Sequence, residues 1–96
     1  MKNSNYPTTS QLRKLFVTSG PAKWNKAKSA QPAFSVRERN GEFWITIKSR
    51  VMGKQRIADK MIGQSILVDL DTTYVVTGAK VLDNNKDVIV VEVKER

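Results

Sequence analysis

Two reactive residue types are missing from this 96-residue chain: it has no cysteine and no histidine. The first absence excludes disulfides, thiolate zinc sites and a cysteine nucleophile. The second excludes imidazole acid–base chemistry and histidine metal ligation. No apolar run approaches the roughly 18–20 residues needed to cross a bilayer as a helix. The opening residues, Met1-Lys2-Asn3-Ser4-Asn5-Tyr6-Pro7, are polar and lack the apolar stretch of a signal peptide. A soluble, cytoplasmic protein with no membrane partner is the expectation. Nor is there a Walker-type phosphate loop, a dinucleotide fingerprint, a zinc-finger pattern or a heptad repeat. No cofactor, no metal and no enzymatic activity are expected.

Acidic residues are also missing from the first 37 positions. The chain as a whole carries +8, but unevenly. Residues 1–60 hold 13 Lys and Arg against Glu38, Glu42 and Asp59, a net +10, while residues 61–96 carry −2. A one-sided positive field attracts a polyanion, and nucleic acid is the commonest one.

Length and a 40% hydrophobic content fit one folded domain. Residues 1–9 read as a flexible lead-in, and 10–96 as the domain. Thr8-Thr9-Ser10 offers helix caps, and Leu12, Leu15 and Phe16 follow at i, i+3, i+4 spacing, which predicts a helix over 10–18. Ser19-Gly20-Pro21 closes it, with Gly20 suited to a left-handed cap. Residues 20–32 contain three lysines, Trp24, two bracketing prolines and no acid, and read as a basic loop. Lys23, Lys26 and Lys28 would clamp phosphates there. Trp24 would either stack on a base or tuck into the core as an anchor.

The strongest local signal is Asn40-Gly41 between two alternating runs, Ala33–Arg39 and Glu42–Val51. A two-residue Asn-Gly loop predicts a type I′ hairpin and fixes its register. Arg39 then faces Glu42, Arg37 faces Trp44, Val36 faces Ile45, and Phe34 faces Ile47. Phe34, Val36, Phe43, Ile45 and Ile47 fall on one face, which must be the core side. Ser35, Arg37, Arg39, Trp44, Thr46, Lys48 and Arg50 fall on the other. An exposed tryptophan among cations is what a base-stacking platform requires. The alternative is that the helix or the 20–32 loop covers Trp44.

Ile57, Ala58, Met61 and Ile62 favour a short helix ending at Gly63, with a strand as the alternative. Ser65–Asp69, Thr72–Leu82 and Val88–Lys94 read as strands, and Gly78 marks a bulge or bend. The predicted topology is helix, hairpin, helix, then three antiparallel strands. That is a mainly β, barrel-like domain of about five strands with one or two short helices. An oligonucleotide-binding (OB-like) barrel is the first expectation and an SH3-like barrel the second.

Asp69-Leu70-Asp71-Thr72-Thr73, after the apolar Ile66-Leu67-Val68, resembles the first motif of haloacid-dehalogenase-like phosphotransferases. That family needs a parallel sheet with crossover helices, for which this chain lacks the length. The plainer expectation is a strand end with solvated carboxylates.

The expected function is binding of single-stranded DNA or RNA. Trp44 would stack, Arg37, Arg39, Lys48 and Arg50 would meet phosphates beside Thr46, and the 20–32 segment would clamp. The alternative is a protein-binding module, an inhibitor or assembly factor, that docks its basic face on an acidic partner. A homodimer formed by extending the sheet is left open.

Overall fold

The computed structural model describes residues 6–48 and 50–96. Five antiparallel strands form one curled, half-barrel sheet: β1 (Phe34–Arg39), β2 (Glu42–Ile47), β3 (Ser65–Asp69), β4 (Thr72–Val81) and β5 (Val88–Glu95). Their spatial order is β1-β2-β5-β4-β3. Helix α1 (Thr9–Ser19) precedes the first hairpin and α3 (Lys54–Met61) follows it, as the predicted topology requires. Among the described residues no helix is long and apolar enough to cross a membrane.

The caps explain where α1 begins. Thr8 accepts from the Gln11 amide at 3.1 Å, and the Gln11 side chain accepts from the Thr8 amide at 2.8 Å. This reciprocal box satisfies two of the amides a helix start leaves unpaired. Leu12, Leu15 and Phe16 are buried, so the predicted stripe faces the core.

The 20–32 segment is not a loop. It folds into a five-residue helix, α2 (Ala22–Lys26), and a 3₁₀ turn (Lys28–Ala30). Its organiser is Trp24, only 4% exposed, whose ring lies 5.4 Å from that of Phe16. Gln31 Nε2 locks the turn by donating to the Trp24 carbonyl at 2.8 Å. Gly20 serves this packing, and not a left-handed cap: its backbone is extended (φ −88°). A Cβ at position 20 would overlap the Trp24 ring.

The first hairpin has the predicted register at all six pairs, from Arg39↔Glu42 to Phe34↔Ile47. Asn40 (φ 52°) and Gly41 (φ 81°) supply the two positive φ angles that the turn demands. β2 ends at Ile47, earlier than the predicted Val51. Its amide bonds Asp87 O at 2.8 Å, and Lys48 N bonds Ala33 O at 2.8 Å. The chain then turns into α3, whose first residue, Lys54, reaches Asp87 Oδ1 at 3.2 Å and the Lys86 carbonyl at 3.0 Å. Residues 54–61 are therefore helix, with Ile57, Ala58 and Met61 inward.

In the last three strands the predicted bulge is present, as a register shift between Val76 and Gly78 opposite β5. Asp69 and Asp71 sit at the antiparallel β3–β4 turn, where Asp69 Oδ1 accepts from the Asp71 amide at 2.9 Å. Antiparallel pairing removes the parallel crossover that the phosphotransferase resemblance requires.

One core joins all these elements. Phe43, Ile45, Ile47, Tyr74, Val76, Ala79, Ile89 and Val91 point inward from the sheet to meet Leu12, Phe16, Trp24, Ile57 and Met61. Each fully buried large side chain contributes roughly 1.5–3 kcal/mol. The last part of the predicted lead-in, from Tyr6 on, belongs to the fold. Tyr6 stacks on Phe43 (5.6 Å), meets Tyr74 edge-on (5.4 Å) and donates to the Gly41 carbonyl at 2.6 Å. Pro7 is buried and Thr8 caps α1, so the fold starts by Tyr6, and residues 1–5 lie outside the described ones.

Candidate nucleic-acid interface

Side chains alternate along strands, so burying one set on the helices aims the other set outward. Pairing then sorts the outward set into rows across the sheet. The middle row is Arg37–Trp44–Val90–Lys80. Beside it runs Arg39–Glu42–Glu92–Gly78. On the other side lie Ser35, Thr46 and Val88, with Leu82 bonded to Val88. An aromatic and an aliphatic group thus sit between two cations, Arg37 and Lys80.

Trp44 is half-buried and borders a groove of about 520 Å³, shared with Ile62, Gly78, Leu82 and Val90. That lies within the range of small-molecule sites, roughly 300–1,000 Å³. Arg39 places its guanidinium 4.7 Å from the Trp44 ring centroid, a cation–π contact. The indole Nε1–H is shielded by the protein and has no hydrogen-bond partner among the described residues. Leaving such a donor unpaired costs about 1–3 kcal/mol.

The face is not purely cationic. Glu42 and Glu92 are directly opposite each other on β2 and β5 and both line the groove. Like charges in that position destabilise a sheet. Among the described residues neither makes an ion pair. Gly78 leaves room beside Glu92, whose Oε1 would be 3.5 Å from a Cβ there.

Arg37, Arg39, Trp44 and Thr46 therefore share the outward face as expected, with Lys48 continuing the alternation one residue past β2. Arg50 does not belong with them. It lines a separate depression with Lys23, Pro21, Pro32 and Met52, over the Trp24 ring. Trp24 is withdrawn from the base-stacking set, because its ring is spent in the core. Lys26 and Lys28 are exposed on α2 and the 3₁₀ turn. Lys80, Val90 and Glu92 join the face only through the β2–β5 and β4–β5 registers, which no local sequence signal supplies.

Comparison with protein-family models, curated proteins and solved structures gave no match. The functional reading rests on the residues and their geometry.

Proposed function

We propose that this protein binds single-stranded nucleic acid on the outward face of the sheet. Trp44 stacks on a base, while Arg37, Arg39, Lys48 and Lys80 meet phosphates around it. The observation that carries this reading is Trp44 itself. It is a half-buried indole bordering a mainly apolar groove, with cations at both ends of its row. Stacking tolerates any base, because every base has a π-face. A curled sheet with one bare face resembles in outline the surfaces that OB-type domains offer to oligonucleotides.

Titrating short oligonucleotides while following tryptophan emission tests it. Binding should quench Trp44, and four neutralised phosphates should give a log–log salt slope near −3 on a single strand, at about −0.7 per phosphate. Poly-glutamate is the control. If it binds as tightly as the oligonucleotide, with no quench from either, the acidic-partner reading replaces this one.

A further inference from the structure

The helical side of the molecule carries a second cationic surface. Two depressions adjoin there, sharing Pro21 and Met52. Lys23 and Arg50 line the first, and Arg56 and Lys60 line the second. Neither has an acidic residue in its wall. Asp59, the acid on α3, is hydrogen-bonded by Gln55 Nε2 at 2.9 Å and lies outside both. Arg56 and Lys60 are four residues apart, so they stack on one flank of the helix. At the shared rim Met52 is 89% exposed, an apolar contact set among four charges.

We infer that this paired depression is a second phosphate-binding groove that takes the sugar–phosphate backbone of the same nucleic-acid strand. It rests on the reading of the Trp44 face given above. Two features favour a nucleic-acid backbone. The four cations are spread over two linked depressions, which suits a chain of evenly spaced phosphates better than one compact anion. The groove is also joined to the Trp44 face by the chain itself. Lys48 ends the outward face and Arg50 begins the groove, two residues on, so their Cα atoms lie within about 7 Å. A strand leaving the sheet at Lys48 meets the groove at Arg50. Short strands then occupy the Trp44 face alone, and longer ones occupy both sites.

The test compares an oligothymidylate of about 6 nucleotides with one of about 30, lengths chosen to fall below and above two adjacent sites. Four further neutralised phosphates should steepen the salt slope of the longer strand by about 3. In the variant Lys23→Gln/Arg50→Gln/Arg56→Gln/Lys60→Gln, all at exposed positions, that extra steepness should vanish. Binding and quenching by the short strand should be unchanged. Thermal unfolding of the variant confirms that the fold is kept. Equal slopes for the two lengths, or a long-strand slope untouched in the variant, would overturn the inference. Failure of the other reading looks different: no oligonucleotide quenches Trp44, yet the long strand binds and the variant abolishes that binding. Tight binding of poly-glutamate to the groove, with no long-strand binding, would also overturn it and point to an acidic protein partner.

Discussion

The chain has two tryptophans, one beside basic residues (Lys23 and Lys26 around Trp24) and one between apolar ones (Phe43 and Ile45 around Trp44), and they end on opposite sides of the sheet. Trp24 lies in α2, packed on Phe16 and nearly inaccessible. Trp44 lies in β2, half-exposed on the face the helices leave uncovered. Local composition would place them the other way round. What separates them is whether the neighbouring backbone makes room. Gly20 opens the space into which Trp24 inserts. The alternation of β2 sends Phe43 and Ile45 to the core and thereby holds Trp44 out of it.

The contrast breaks most sharply at Trp24. Trp24→Ala should cost about 3–5 kcal/mol, since it empties a filled part of the core. Urea unfolding followed by circular dichroism measures it. For a domain whose whole stability is about 5–15 kcal/mol, that variant is close to unfolding.

Trp44→Ala should do the reverse. Binding should weaken by about 1–3 kcal/mol, the usual value of one stacked base, while stability changes far less than for Trp24→Ala. A loss of stability equal to that of Trp24→Ala would mean that Trp44 serves the core as well.

Gly20→Ala sharpens the same point. Because φ at position 20 is an ordinary extended angle, alanine brings no backbone strain there. Any loss, expected at about 1–3 kcal/mol, comes from the clash with the Trp24 ring. The two sites should therefore couple, and Gly20→Ala should become nearly neutral once Trp24 is shortened to Leu, as a double-mutant cycle would measure.

A smaller effect concerns Tyr6, on the covered side. Burial pushes its phenol above the ordinary value of 10.0, with Glu38, Tyr74 and Glu42 adding to the shift. The unfolded chain therefore gives up this proton first as pH rises. The stabilisation is complete below about pH 10 and is lost as pH climbs through the raised folded value. Tyr6→Phe should remove this part of the alkaline loss. It should also cost about 0.5–1.5 kcal/mol at neutral pH through the hydrogen bond to Gly41. Unfolding curves at pH 7 and at pH 10–11 separate the two contributions.

The smallest expected change is at Glu92. Removing one of two facing carboxylates by Glu92→Gln should raise oligonucleotide affinity, by no more than about fivefold because the pair is exposed and screened. An unchanged or lower affinity would mean that the carboxylate contacts the ligand favourably.

Much of the fold is legible from local signals, because several of them are self-contained. Asn40-Gly41 sets both turn and register, and the alternation on either side leaves one consistent way to bury Phe34, Val36, Phe43, Ile45 and Ile47. Thr8-Thr9-Ser10 and the spacing of Leu12, Leu15 and Phe16 locate α1 within a few residues. The 20–32 segment is opaque because α2 has only five residues and no apolar period; its structure comes from one ring inserted into a core built by distant strands. Arg50 is misplaced by any reading that runs β2 on to Val51, because the bond from Ile47 to Asp87 that closes the strand joins residues 40 positions apart. The acidic pair is hidden for the same reason. Glu42 follows from the hairpin, but its neighbour Glu92 depends on how β5 pairs with β2.

The most direct test is a titration of the short oligonucleotide into the parent protein and into Trp44→Phe, following emission in both. Phenylalanine keeps a stacking ring but removes the indole signal, while Trp24 stays shielded in the core. The parent should be quenched on binding, and the variant should bind with little change in emission. Equal quenching in both, or binding with no quench in the parent, would show that nucleic acid does not stack on the sheet face at Trp44.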